Sequence, residues 1–268
     1  KDLGIFELIV PSPRCWKYPG NHGSINLSQA IMHSCNYYFY DVGFKLSTDY
    51  TGRYSDSLGI SKIKRYAEMF GLTEKTGIEI SEATPSVSNS DAVRTSIGYG
   101  HALAPVQIAR YITGIANEGT IYNLTLLDSI RSNSGTILEQ KEASVYNQIT
   151  MFSNAEWAAV KKGMYDVVNT NTNSLDTLYG NLGVSVAGKT GTAQINPSTP
   201  HHALFVSFAP YENPEICVTV VIPNGYKSAN AAYTAREVFG LYFNNENKAE
   251  LLSGNIKAGS VTSINVSD

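Results

Sequence analysis

Apolar residues recur at helical spacing near the start of the chain. From Leu27 to Leu46 the apolar positions follow the period of an amphipathic helix. Asn26, with Gln29 three residues later, has the pattern of a capping box and therefore marks the start of this helix. The polar residues 34–36 interrupt the apolar pattern, which predicts a break in the helix.

Two more helices are predicted in the first half of the chain. A short helix covers 61–70, with Ser61 as its N-cap and Gly71 as its stop. Another begins with Pro105, whose fixed φ suits a first helical turn, and runs to about Glu118.

The second half combines helices with strands. Ser153 and Glu156 form a second capping-box pattern that opens a helix, and 229–243 predicts a closing helix. Three apolar runs between these helices predict strands, with a hairpin turn before the last one. These runs are 184–195, 203–209 and 216–222.

Polar segments predict loops between these elements. Residues 81–96 form a polar surface segment, and 169–183 form a mobile loop rich in Asn, Thr and Gly. The first 25 residues predict an irregular segment, and the polar residues 244–268 predict a frayed C-terminal tail.

The order of elements indicates an α+β fold. Because no linker or internal repeat is visible, we predict one domain over 1–243. Its helical part covers about 26–183, and its sheet and closing helix cover about 184–243.

Composition and charge exclude several classes of function. The 268 residues carry 20 basic and 23 acidic side chains, a net charge of −3, which argues against nucleic-acid binding. No apolar run is long enough to span a bilayer. Cys15, Cys35 and Cys217 form no CxxC pair, so we predict three reduced, mostly buried thiols, no metal site and no cofactor.

One strand carries a candidate ligand site, Lys189-Thr190-Gly191-Thr192, within the sequence VAGKTGTAQ. A glycine on a strand lets a ligand lie close to the backbone, and an extended peptide can add to a sheet edge as another strand. The lysine offers a positive charge and the threonines offer hydroxyls to a carboxylate. The structural alternative is an edge strand whose lysine discourages aggregation.

A second candidate, Ser34-Cys35-Asn36, lies where the helical pattern breaks. Serine can relay protons and asparagine can hold a substrate amide, although short polar residues also cap helix ends. The S-x-N and K-T-G patterns occur together, with S-x-x-K, in penicillin-binding proteins and serine β-lactamases. Here Ser34 and Asn36 precede Lys189 in the order of that family.

The flanking sequences extend this resemblance. GSINLSQAIMHSCNYYFYDVG (23–43), IGYGHALAPVQIARYITGIANEGT (97–120) and the segment after VAGKTGTAQ resemble class B penicillin-binding proteins over about 15–243. Tyr99, Ala104 and Leu204 depart from residues common in the family. The resemblance implies a penicillin-binding-protein/serine β-lactamase-like transpeptidase fold with a helical subdomain and an antiparallel sheet.

The resemblance also implies a D,D-transpeptidase that cross-links peptidoglycan stem peptides through an acyl-serine and binds β-lactams. Ser34 then resembles the proton-relay serine, and Asn36 the asparagine that holds the substrate amide. Lys189 would attract the terminal carboxylate, Thr190 and Thr192 would bind it, and Gly191 would allow close approach. The Thr192 N–H would be one oxyanion donor.

The family's nucleophile motif, S-x-x-K, is not found before Ser34. Ser61-Lys62-Ile63-Lys64 matches it but follows the second motif, so we interpret Ser61 as a helix cap. We therefore expect a C-terminal part of the transpeptidase domain that lacks the N-terminal strands and the nucleophile helix, and that is inactive alone. Its partner would be the missing N-terminal part, which would anchor it at the extracytoplasmic face of the bacterial membrane.

The missing strands predict an open edge near Cys217–Ile222. We therefore expect the isolated chain to self-associate or to be marginally stable. Two functional alternatives remain at this point. One is a non-catalytic module that senses β-lactams or stem peptides, and the other is a β-lactamase that uses water as the acceptor.

Overall fold

A computed structural model describes residues 1–170, 175–196 and 198–244. The elements follow in this order: α1 (Leu27–Met32), α2 (Asn36–Leu46), α3 (Asp56–Met69), α4 (Ala92–Thr95), α5 (Pro105–Ala116), β1 (Thr120–Tyr122), β2 (Ser129–Arg131), β3 (Ile137–Gln140), β4 (Val145–Gln148), α6 (Asn154–Asn169), α7 (Leu175–Tyr179), β5 (Ala187–Ala193), β6 (His202–Ala209), β7 (Ile216–Ile222) and α8 (Ser228–Asn244).

The chain divides into two compact units. The first consists of Lys1–Ile25 and Cys35–Trp157, and the second consists of Asn26–Ser34 and the residues from Ala158 onward. None of the helices in the described ranges combines the length and the apolar content that crossing a membrane requires.

Local signals fixed several helix ends as predicted. The capping box before α1 is present, with the Asn26 side chain accepting from the Gln29 N–H and Gln29 reaching back to the Asn26 N–H. Pro105 occupies the first turn of α5. The helix ends at Ala116, before Gly119, whose φ of +102° places it in the region that favours glycine.

The predicted start of α3 was wrong. The helix begins five residues before Ser61, at Asp56, and the Ser55 hydroxyl caps it by accepting from the Leu58 N–H. Ser61 lies inside the helix, where its Oγ donates to the Leu58 carbonyl at 2.8 Å. The sequence therefore contained two plausible serine caps, and the earlier one is used.

Two predicted loops contain short helices. In 81–96 the structure has α4, whose Ala92 and Val93 are fully buried. In 169–183 it has α7, whose Leu175 is 1% exposed. Both helices are too short for periodicity to reveal, and burial of their few apolar residues stabilises them. Residues 171–174 lie outside the described ranges.

The first unit is mostly helical. Phe6 of the N-terminal segment is buried between α2 residues, with its ring edge-on to Tyr37 and Phe44. The segment 1–25 is irregular as predicted, but Phe6 and Cys15 are buried. Four short strands follow α5 and form two-stranded sheets, β1 with β4 and β2 with β3. The sequence pattern predicted no strands there, because each of them is only three or four residues long.

The second unit contains the three predicted strands in one antiparallel sheet of order β5-β6-β7. Phe205 of β6 pairs in register with Thr190 and with Val220. Helix α8 buries Ala231, Ala235 and Phe239 in the same apolar core as Phe205. The predicted tail lies outside the described residues except for Asn244, the last residue of α8.

Candidate active site

Ser34 lies in a tight turn between α1 and α2. Its φ is +49°, a left-handed conformation that is uncommon for a residue with a side chain. Its N–H donates to the Ile31 carbonyl at 3.1 Å, which closes the turn after α1. The polar triplet thus ends one helix and allows the next to begin at Asn36.

Helix α1 belongs to the second unit, and close packing holds it there. The Ser28 hydroxyl donates to the Ala159 carbonyl of α6 at 2.7 Å. Gly163 of α6 leaves room for Ile31, because a Cβ at Gly163 would lie 2.8 Å from the Ile31 Cβ. This close approach positions the C-terminal end of α1, and therefore the turn after it that contains Ser34.

Lys189 projects from β5 and meets Ser34. Its Nζ donates to the Ser34 Oγ at 2.5 Å and to the Thr190 carbonyl at 2.9 Å. The Thr190 Oγ1 lies 3.4 Å from the same ammonium. The structure therefore brings together two predicted site residues that are 155 positions apart in the chain.

The direction of this hydrogen bond limits what Ser34 can do. An ammonium group has donors and no acceptor, so Ser34 accepts from Lys189 through its oxygen. The hydroxyl proton of Ser34 must therefore point to a different acceptor. An oxygen that accepts from a cation and donates elsewhere has the arrangement required of a proton relay.

Two other predicted site residues, Thr192 and Asn36, lie on different elements, β5 and α2. Thr192 is near the end of β5, where its Oγ1 is buried and has no hydrogen-bond partner among the described residues. Strand β5 pairs only with β6 in the described ranges, so its other edge could take an extended ligand. Asn36 belongs to the first unit, where it is the first residue of α2.

The structure also contains a cluster that no sequence pattern predicted. Asp2, Cys15, His22 and Cys35, here called the acid–thiol cluster, offer one ligand atom each, all within 4.8 Å of one another. Such a set of oxygen, nitrogen and sulphur atoms could hold a divalent metal ion. The spacing of these residues matches no metal motif, so sequence patterns gave no signal for the cluster.

Hydrogen bonding shifts the acidity of the two thiols in opposite directions. The hydrogen bond with the Cys35 side chain lowers the pKa of Cys15, and the same contact raises the pKa of Cys35. Burial raises the pKa of the third thiol, Cys217, to about 12.

Residues 10–240 match the sequence profile of the penicillin-binding protein transpeptidase domain. Peptidoglycan D,D-transpeptidase MrdA of Haemophilus influenzae is 33% identical over 86% of this chain and 38% of its own length. Penicillin-binding protein 2B of Streptococcus pneumoniae is 26% identical over 84% of this chain and 37% of its own length. The chain thus spans about two fifths of these curated relatives.

Among solved structures, Pseudomonas aeruginosa PBP2 has a TM-score of 0.75 and 27% identity, over 92% of this chain and 54% of that one. The antiparallel sheet and the helical first unit agree with the fold that the sequence resemblance implied. The matched profile covers most of the chain, and the chain therefore belongs to the transpeptidase-domain family of class B penicillin-binding proteins.

Proposed function

We propose that this chain supplies the substrate-binding strand and proton relay of a D,D-transpeptidase that cross-links peptidoglycan stem peptides. The observation that carries the proposal is the hydrogen bond between Lys189 and Ser34, which joins the second and third family motifs. The substrate class follows from the family and from the charge of the site.

In this proposal β5 binds the end of a stem peptide or a β-lactam. Lys189 attracts the terminal carboxylate, and the hydroxyls of Thr190 and Thr192 bind it. The Thr192 hydroxyl is buried and unsatisfied, which a bound carboxylate would correct. Gly191 leaves the strand accessible, and Asn36 holds the amide of the substrate.

The proposed chemistry is acyl transfer through a serine ester. A nucleophilic serine attacks the D-Ala-D-Ala amide and releases D-Ala. An amine of a second stem peptide then takes the acyl group. Ser34 gives its proton to the leaving amine and regains one from Lys189, which in turn takes up the proton that the nucleophilic serine loses. The Thr192 N–H stabilises the oxyanion.

We further propose that the nucleophile belongs to a Ser-x-x-Lys motif outside residues 1–268. Ser61 is a poor candidate, because its Oγ already donates to a carbonyl of its own helix. Because peptidoglycan lies outside the cytoplasm, we place the protein at the extracytoplasmic face of the bacterial membrane.

The test is covalent labelling of the natural protein with benzylpenicillin, followed by intact mass and peptide mapping. We expect one stable adduct on a serine outside this chain. Lys189→Ala and Ser34→Ala should each slow labelling by about 100-fold or more. The matched control is Lys162→Ala, which removes a lysine that pairs with Asp166 on the surface of α6 and should leave labelling unchanged.

Three results would contradict the proposal. An adduct on Ser61 would refute the location of the nucleophile. Reversible penicillin binding without an adduct would favour a sensor module. Rapid turnover of a chromogenic cephalosporin would favour a β-lactamase that transfers the acyl group to water.

A further inference from the structure

Helix α6 contacts both elements that carry the candidate active site, through residues that all lie in the second unit. The Ala159 carbonyl of α6 accepts from the Ser28 hydroxyl of α1 at 2.7 Å. At the end of α6, the side-chain amide of Asn169 donates to the Val186 carbonyl at 2.8 Å, directly before β5. Helix α1 leads into the turn that contains the relay serine, and β5 carries the lysine. One helix therefore supports both partners of the hydrogen bond between them.

The link between α6 and β5 is rigid. The Asn169 amide also donates to the Tyr165 carbonyl at 2.7 Å, so both of its hydrogens are bound. Val167 and Val168 of α6 are buried in the same apolar core as Val186. Strand β5 also pairs with β6 along its length. The position of β5 relative to α6 is therefore fixed, and the approach of α1 decides whether the serine and the lysine meet.

The approach of α1 to α6 depends on Gly163. A Cβ at Gly163 would lie 2.8 Å from the Ile31 Cβ and 2.9 Å from the Ser28 carbonyl oxygen. One of these atoms is part of the α1 backbone and the other is attached to it, so rotation of a side chain cannot relieve the overlap. Because carbon atoms pack at about 3.5–4.0 Å, a methyl group at Gly163 would push α1 away by roughly 1 Å.

We propose that Gly163 and Ser28 are positioning residues that set the contact between the Ser34 hydroxyl and the Lys189 ammonium. Gly163 supplies the space for α1, and Ser28 supplies its attachment to α6. Both residues act through the position of Ser34. The inference rests on the proposed function, because it concerns the relay of protons between these two groups.

The contact between the two groups is sensitive to a small shift of α1. The Lys189 Nζ and the Ser34 Oγ lie 2.5 Å apart. Such hydrogen bonds span up to about 3.2 Å, so a retreat of α1 by roughly 1 Å would break this one. The lysine is not free to follow the serine, because its Nζ also donates to the Thr190 carbonyl at 2.9 Å.

A shift of α1 should affect acylation rather than binding. In the proposed function the ligand carboxylate binds to groups of β5, which Asn169 and the pairing with β6 hold in place. Non-covalent binding should therefore survive, whereas proton transfer through Ser34 should slow. Misplacing a catalytic group by about 1 Å can cost about 100-fold in rate.

The experiment measures benzylpenicillin labelling of the natural protein over a range of concentrations. This separates the dissociation constant of the non-covalent complex from the rate constant of acylation. Gly163→Ala should lower the rate constant by about 10-fold or more and change the dissociation constant by less than about twofold. Its melting temperature should stay within about 4 °C of the wild type, because the higher helix propensity of alanine offsets the overlap. The matched control is Lys162→Ala, on the surface of the same helix, which should label like the wild type.

A second pair of variants tests the attachment without adding an atom between the helices. Ser28→Ala removes the hydroxyl that binds α6 and should also slow acylation, whereas Ser28→Thr keeps a hydroxyl and should retain most of the rate. The matched control is Thr234→Ala, which removes a hydroxyl that donates to the Asn230 carbonyl at 3.0 Å within α8. It should leave acylation unchanged. If Gly163→Ala fails to fold, the Ser28 variants decide.

Several results would overturn the inference. One is a wild-type rate constant of acylation in both Gly163→Ala and Ser28→Ala. Another is a weakened dissociation constant with an unchanged rate constant, because the residues would then support binding. Equal slowing in Thr234→Ala would show a general effect of lost stability.

The same labelling keeps this inference distinct from the proposed function. A natural protein that forms no covalent adduct refutes the proposed function. An adduct that forms at the wild-type rate in both variants refutes only the role of Gly163 and Ser28.

Discussion

Strand β5 contains two glycines, Gly188 and Gly191, and the space for a side chain differs between them. A Cβ at Gly188 would lie 2.4 Å from the Phe205 ring, which is fully buried, and 3.0 Å from the Val206 carbonyl oxygen. A Cβ at Gly191 would only touch the Leu204 Cβ at 3.4 Å, an ordinary contact. Packing within the chain therefore requires glycine at 188 but not at 191.

These environments predict that alanine at Gly188 affects stability, whereas alanine at Gly191 affects ligand binding. Gly188→Ala should lower the free energy of unfolding by about 1–3 kcal/mol, because the buried ring must move. Gly191→Ala should change it by less than about 0.5 kcal/mol but slow benzylpenicillin labelling, because its methyl group would obstruct the ligand. Urea unfolding and labelling rates of both variants test this. Equal destabilisation by the two substitutions would refute it.

Among the elements, helices α3 and α4 are linked by hydrogen bonds to the side-chain carboxylate of Asp56. Asp56, the first residue of α3, accepts from the Asp91 N–H at 2.9 Å and from the Ala92 N–H at 2.7 Å. These are backbone groups at the start of α4, and Ala92 is fully buried. The carboxylate therefore stabilises a helix that is too short to be stable alone.

Removing this carboxylate should destabilise the protein. Asp56→Ala leaves two backbone N–H groups without their acceptor and should lower the free energy of unfolding by about 2–3 kcal/mol. The matched control is Asp41→Ala, which breaks an exposed pair with Lys45 and should cost less than about 1 kcal/mol. Urea titrations measure both costs. Similar values for the two variants would show that Asp56 does not stabilise α4.

At the scale of the whole molecule, both outer edges of the three-stranded sheet lack a strand partner among the described residues, and the edge of β7 is the one that no proposed ligand covers. In the described part of the chain β7 pairs only with β6, so its outer backbone groups have no strand partner. The side chains of Val220 and Ile222 pack into the core with α8, and that of Val221 projects from the opposite face. An unpaired edge is a template for pairing with another chain.

The polypeptide of residues 1–268 should therefore self-associate. In sedimentation velocity we expect the sedimentation coefficient to rise with concentration. Val221→Lys should reduce that rise, because a charge next to the edge opposes strand pairing. The matched control is Val145→Lys, at an exposed position of β4. It should leave the rise of the sedimentation coefficient unchanged. A wild-type monomer at all concentrations would contradict the prediction.

Much of the local structure followed from the sequence because it depends on neighbouring residues. Asn26 and Gln29 cap α1, Pro105 starts α5, and three apolar runs became β5, β6 and β7. The error at Ser61 shows the limit of such signals. Ser55 and Ser61 both fit a cap, and the contacts of α3 select the earlier one.

The sequence by itself determined the motifs, the strands, most helices and, through the flanking segments, the family. Only the tertiary structure placed Lys189 beside Ser34, buried the short helices α4 and α7, and gathered Asp2, Cys15, His22 and Cys35. Caps and periodicity act over a few residues, whereas these contacts join groups up to 155 positions apart. Their geometry depends on burial of the whole chain, which no local pattern records.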